Sequence, residues 1–135
     1  MPRAMWRLVS HRPVIEAVLA VPGATQRATL TLLADTGAGG EDAPFALVLR
    51  QSDCRQFRIM RSGDVVLAGA LSGTFPTYAV WVEIPALAFA DFVVAAAVPD
   101  AQVPSGLDGI ASFRFLNSFT YGNFGDPNQF GLETR

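Results

Sequence analysis

The sequence contains no lysine, a single cysteine and a single histidine, and no apolar run approaches the roughly 18 residues that a bilayer crossing needs. Each shortage excludes something. Cys54 alone builds no internal disulfide, and with His11 as the one imidazole a zinc site of Cys and His has too few ligands. A nucleophilic Ser or Cys needs a nearby base. His11 lies ahead of the first long apolar run, and Cys54 stands between Asp53 and Arg55 with no local sign of activation. There is no Walker loop, and Gly37, Gly39 and Gly40 miss the G-x-G-x-x-G spacing. Glu16 interrupts the run Val14 to Val21, so neither a secretory leader nor a membrane span is expected. A reduced, cytoplasmic setting fits the lone cysteine.

The ten cations are all Arg, set against twelve acids for a net charge of −2. They are scattered, with small groups at Arg3, Arg7 and Arg12 and at Arg50, Arg55, Arg58 and Arg61. That leaves no basic footprint for nucleic acid, and no nucleic-acid or membrane partner is expected. Arg without Lys, beside abundant Ala and Gly, fits GC-rich bacterial coding.

What is present favours strands. At 135 residues, 50% of them hydrophobic, the chain suits one compact core and is short for two, so a single domain over 1–135 is expected, with 1–12 as a possible flexible N-terminal extension. Twelve glycines, nine prolines and short runs of Val, Thr and Phe point to an all-β barrel or sandwich. "PVIEAVLAV" (13–21), the turn "PGAT" and the alternating "ATLTLL" (28–33) read as a hairpin. "FALVL" (45–49) reads as a buried strand, and "QSDCRQF" as one helical turn with Ser52 at its N-cap. "SGD" (62–64) reads as punctuation before two strands, 65–68 and 75–84, which flank the mobile tip "GALSG". "DFVVAAAV" (91–98) is a further strand, "IASFRFLNSF" (110–119) carries a short helical period, and two short runs close the chain around "DPNQ". A weak duplication is legible: a strand followed by a small-residue turn near Asp35, and again near Gly109.

Most acids, including Glu41, Asp42, Asp53, Asp64, Asp100 and Asp126, fall in loop-like positions that suit solvated turn residues. The phenylalanines at 113, 115, 119, 124 and 130 suit a core, and His11 a surface. Asp35 differs. It emerges directly from an apolar strand, and the Thr36, Gly37 and Ala38 that follow are small enough for backbone amides to approach its carboxylate.

"LLADTGA" (32–38) resembles the Asp-Thr-Gly-Ala signature of the retropepsin-like, retroviral-type aspartic proteases. Two further segments stand in the family's order: "GALSGTFPTYAVWVEIPAL" resembles the glycine-bearing flap, and "LDGIASFRFLNSF" the second signature and its short helix. The resemblance covers most of the chain. It implies a closed β-barrel of the acid-protease fold and an aspartic endopeptidase without cofactor or metal. Because the chain holds one Asp-Thr-Gly, it also implies a homodimer whose two Asp35 carboxylates meet on the twofold axis around one water. Thr36 would hydrogen-bond across the axis, Gly37 would present its backbone to the carboxylate, and Ala38 would allow tight packing. Gly69, Ala70, Leu71, Ser72 and Gly73 would close over an extended peptide or protein substrate, with Phe75, Tyr78 and Ile84 as candidate subsite walls. Gly109, Ile110 and Ala111 match the second signature, but Ser112 stands where that signature usually has Gly. With a positive φ there, Ser would cost about 1 kcal/mol and displace the catalytic loops. The alternative is therefore a catalytically weak or inactive peptide-binding or dimerisation module on the same fold, and a third reading is a site-less monomeric barrel.

Overall fold

The computed structural model describes residues 1–135. Its strands are β1 (Arg3–Arg7), β2 (Val14–Ala20), β3 (Arg27–Ala34), β4 (Leu47–Arg50), β5 (Met60–Leu67), β6 (Gly73–Ile84), β7 (Phe89–Val98), β8 (Gly109–Ala111), β9 (Thr120–Gly122) and β10 (Gln129–Glu133). The two α-helices are α1 (Gln51–Phe57) and α2 (Phe113–Leu116). Strands β2, β3, β8, β4, β7 and β6 pair in that order, and a β2–β6 pairing closes the ring into a six-stranded barrel. Strand β5 hangs from the outside of β6 as a hairpin.

Alternation along the strands sorts side chains into two clusters. Leu47 and Leu49 of β4, with Ala95 and Ala97 of β7, enter the larger cluster, while Val48, Ala96 and Val98 enter the smaller one. Both faces of these strands are thus covered. That is why "LVL" (47–49) and "FVVAAAV" (92–98) read as continuous apolar runs and not as alternating ones. The larger cluster also takes Phe57 from the end of α1 and Phe115 and Leu116 from α2, Phe57 being fully buried. Burying a side chain of that size contributes about 2–3 kcal/mol.

Five expectations are corrected. Ser52 does not cap α1: Arg50 occupies the N-cap, its side chain bonding Asp53 at 2.8 Å, and the Ser52 amide donates to Asp100 Oδ1 at 3.1 Å. Asp53 is consequently buried and paired, not a solvated turn residue. "SGD" does not break the chain, because a bulge between Arg61 and Gly63 absorbs the irregular residue and β5 runs through it. Residues Arg3–Arg7 are not a loose extension. They pair antiparallel with β10, and β10 pairs with β9, so both chain ends share one three-stranded sheet. An Arg3–Glu133 ion pair at 2.7 Å borders that sheet, and Arg3 also lies 4.1 Å over the Phe124 ring, which holds Phe124 outside the core. No helix is long and apolar enough to cross a membrane.

Candidate functional site

Asp35 is the first residue beyond β3. Its position is fixed by an unusual neighbour: β8 runs parallel to β3, Leu32 opposite Gly109 through Ala34 opposite Ala111, and the Asp35 amide extends this ladder by donating to Ala111 O at 3.0 Å. The two segments that suggested a duplication in the sequence therefore lie side by side. The chain then turns sharply. Ala38 N–H donates to Asp35 O at 3.1 Å, and Gly37 N–H donates to the Asp35 carboxylate at Oδ1, 3.0 Å away. A side chain at Gly37 would come within 3.3 Å of that oxygen, so the small residue keeps amide and carboxylate in contact.

The segment from Gly109 to Phe113 supports this loop from behind. Phe113 N–H donates to Ala38 O and Ser112 N–H to Ala46 O, each at 3.0 Å. Gly109 lies so close to β4 that an added Cβ would sit 2.4 Å from Val48 O, a distance no side chain accommodates. Asp108 braces the same junction: Oδ2 accepts Thr31 N–H at 2.9 Å, and Oδ1 lies 3.2 Å from Arg50. Arg50, between Asp53 and Asp108, is held above its ordinary value, chiefly by its hydrogen bond to Asp53. Neither Asp108 nor Arg50 stood out in the sequence, where an Asp before a Gly looks like any turn.

Ser112 departs from the expected strain. Its φ is −77° and ψ 170°, ordinary extended backbone, so no positive φ penalises the residue. The side chain is fully buried, and its hydroxyl donates to Ala46 O at 2.7 Å with Phe45 O a second acceptor at 3.3 Å. A hydroxyl has one proton, so Ala46 is the principal partner.

A cleft of about 470 Å³ opens in front of Asp35. Leu33, Phe45, Val48 and Ile110 form its apolar floor, and Leu67, Ala68, Ala70 and Leu71 of the β5–β6 hairpin overhang it. Asp35 is the only ionisable residue in the lining. At the hairpin tip Gly69–Leu71 makes a 3₁₀ turn, with Gly69 at φ +82°. Leu67 and Leu71 pack onto the smaller cluster, so the tip is seated on the cleft. Gly69, Ser72 and Gly73 are exposed and outside the lining. Thr36 is exposed, and its hydroxyl has no hydrogen bond within the chain.

The proposed subsite walls are mostly misplaced. Ile84 is a core residue of the larger cluster, and Tyr78 faces a different cleft. Phe75 is buried beside the hairpin in the smaller cluster, one layer behind the lining. Of the lining residues that sequence reasoning missed, Leu33, Val48 and Leu67 belong to strands β3, β4 and β5, while Gln102 and Pro104 come from the loop just before β8. Its many turn residues were the available signal. No group of three or more His, Cys, Asp and Glu side chains is placed to hold a metal ion. No family model, curated protein or solved structure matches the chain.

Proposed function

We propose that the chain is one half of a homodimeric aspartic endopeptidase of the retropepsin-like kind. The observation that carries this reading is that Asp35 is the sole ionisable group in an apolar cleft overhung by a hairpin tip. An isolated carboxylate in such a cleft has no acid–base partner of its own, and a second copy supplies one. Two adjoining carboxylates do not both ionise cheaply, so the pair holds one proton. The ionised member takes a proton from a water as the water oxygen attacks the scissile carbonyl carbon, and the protonated member donates to the carbonyl oxygen. Collapse of the resulting gem-diol then breaks the C–N bond as the first carboxyl passes its proton to the leaving amine.

Local features support each role. The Gly37 amide occupies Oδ1, leaving the other carboxylate oxygen for the water. The free Thr36 hydroxyl is available to the opposite loop. The hairpin tip offers backbone groups to an extended peptide, as an added strand would, and the apolar floor favours apolar side chains on either side of the cut.

The test is cleavage of an apolar peptide library at mildly acidic pH, by wild type and by Asp35→Asn. Loss of cleavage in the variant, with sedimentation and circular dichroism unchanged, is the expected result. Equal turnover by the variant overturns the assignment. A wild type that binds these peptides but never cuts them selects the alternative, a peptide-binding module on the same fold.

A further inference from the structure

A second cleft, of about 260 Å³, lies at the opposite end of β4 from the Asp35 loop. Ala46, just before β4, meets Ser112 behind the Asp35 loop, whereas α1 begins immediately after β4 and carries this second cleft. Arg55, Arg58, Gln51 and Tyr78 line it, and no acidic residue does.

The two guanidiniums share with Arg7 alone the lack of a partner within the chain. Arg3, Arg27, Arg50 and Arg61 each pair with a carboxylate. Arg12 and Arg114 donate to main-chain carbonyls, and Arg135 to Asn117. Arg55 and Arg58 have no such partner, although the chain is acidic overall. Their spacing of three, on and just beyond α1, brings them to one side of the helix. The Arg58 guanidinium is further oriented by the Tyr78 ring, 5.5 Å beneath it. The nearby acids are engaged elsewhere: Asp53 bonds Arg50 at 2.8 Å, and Asp100, which feels the charges of Arg50 and Arg55, accepts the Ser52 amide at 3.1 Å.

We infer that this cleft binds a small oxyanion of the phosphate-monoester class, held by Arg55 and Arg58 with Tyr78 and Gln51 as neutral donors. A dianion matches two unpaired guanidiniums lining one cleft, each able to present a pair of N–H groups, whereas a monocarboxylate leaves one cation uncompensated. Binding there is independent of the Asp35 chemistry.

The experiment is a nuclear magnetic resonance titration of the full chain with inorganic phosphate, and separately with phosphoserine, at constant ionic strength. Saturable shifts around Arg55, Arg58 and Tyr78 are expected, with a dissociation constant near ~1 mM. Arg55→Gln and Arg58→Gln each weaken binding about tenfold, while Arg7→Gln, removing the other unpaired Arg, leaves it unchanged. Equal affinity for the two probes identifies a free anion, and tighter binding of phosphoserine a phosphorylated side chain; both support the site. Shifts that never saturate, or binding that survives in Arg55→Gln and Arg58→Gln with their spectra otherwise intact, overturn it.

Discussion

The Ser112 hydroxyl donates to the Ala46 carbonyl oxygen at 2.7 Å, from a backbone with φ −77° and ψ 170°. Ser112 is therefore a strut between the two segments behind Asp35. Ser112→Gly is expected to destabilise the fold by about 1–2 kcal/mol, from the lost hydrogen bond and added chain entropy. Ser112→Ala, which keeps the backbone preference, isolates the hydrogen bond at about 1 kcal/mol. Urea midpoints measure both, and neither variant raises turnover. A gain in hydrolysis from Ser112→Gly would mean that Ser112 does distort the site.

Gly109→Ala tests the close pairing of β8 with β4. With Val48 O only 2.4 Å from the new methyl carbon and Leu32 and Leu49 side chains at 3.1 Å, backbone must move. A loss of about 3 kcal/mol or more is expected, at the upper end for overpacking because the obstacle is main chain. Wild-type stability in this variant would show that the strands are spaced differently.

Deleting residues 1–7 removes β1 and bares the edge of β10. The expected product is less stable and aggregates, as followed by melting temperature and light scattering. An equally stable truncated chain would mark the segment as dispensable.

Stability responds to pH from both ends. Burial, with a smaller contribution from Asp53, raises the Cys54 thiol from 9.0 to about 12. The folded chain thus holds that proton more tightly than the unfolded chain, and this contribution is complete below about pH 9 and fades as pH climbs toward 12. Glu83, lowered by hydrogen bonds from Trp81 and Arg27, and Asp100, lowered by hydrogen bonds from Ser52, behave oppositely. Their contribution is present above the ordinary values of 4.5 and 3.8 and is lost as pH falls through the depressed ones. Urea midpoints against pH check both limbs: Cys54→Ala flattens the alkaline one, Glu83→Gln the acid one. A thiol reagent at neutral pH should label Cys54 only once the chain unfolds.

How far the sequence could be read depended on whether the signal was local. The β2–β3 hairpin was legible because Thr29 and Thr31 alternate with buried Leu30 and Leu32, and β6 and β7 because their apolar runs are long. Strand β1 was not legible, since "RAMWR" is short and charged and its partner Gln129–Glu133 lies at the other end of the chain. Asp35 and the tip residues Ala70 and Leu71, singled out in the sequence by a carboxylate among small residues and by the flap resemblance, line one cleft. The bracing by Asp108 and Arg50, the Gln102 and Pro104 side of the cleft and the burial of Ile84 depend on nonlocal packing that no short window encodes.

The central claim, that two Asp35 carboxylates from two chains make one active site, is tested most directly by mixing. Wild type and Asp35→Asn are combined in equal amounts under conditions that exchange subunits, and peptide cleavage is measured per total chain. Random pairing leaves one dimer in about four with both carboxylates, so activity falls to about one quarter of wild type. A fall to only about one half would mean that a single chain carries out the chemistry unaided, and the shared dyad would be wrong.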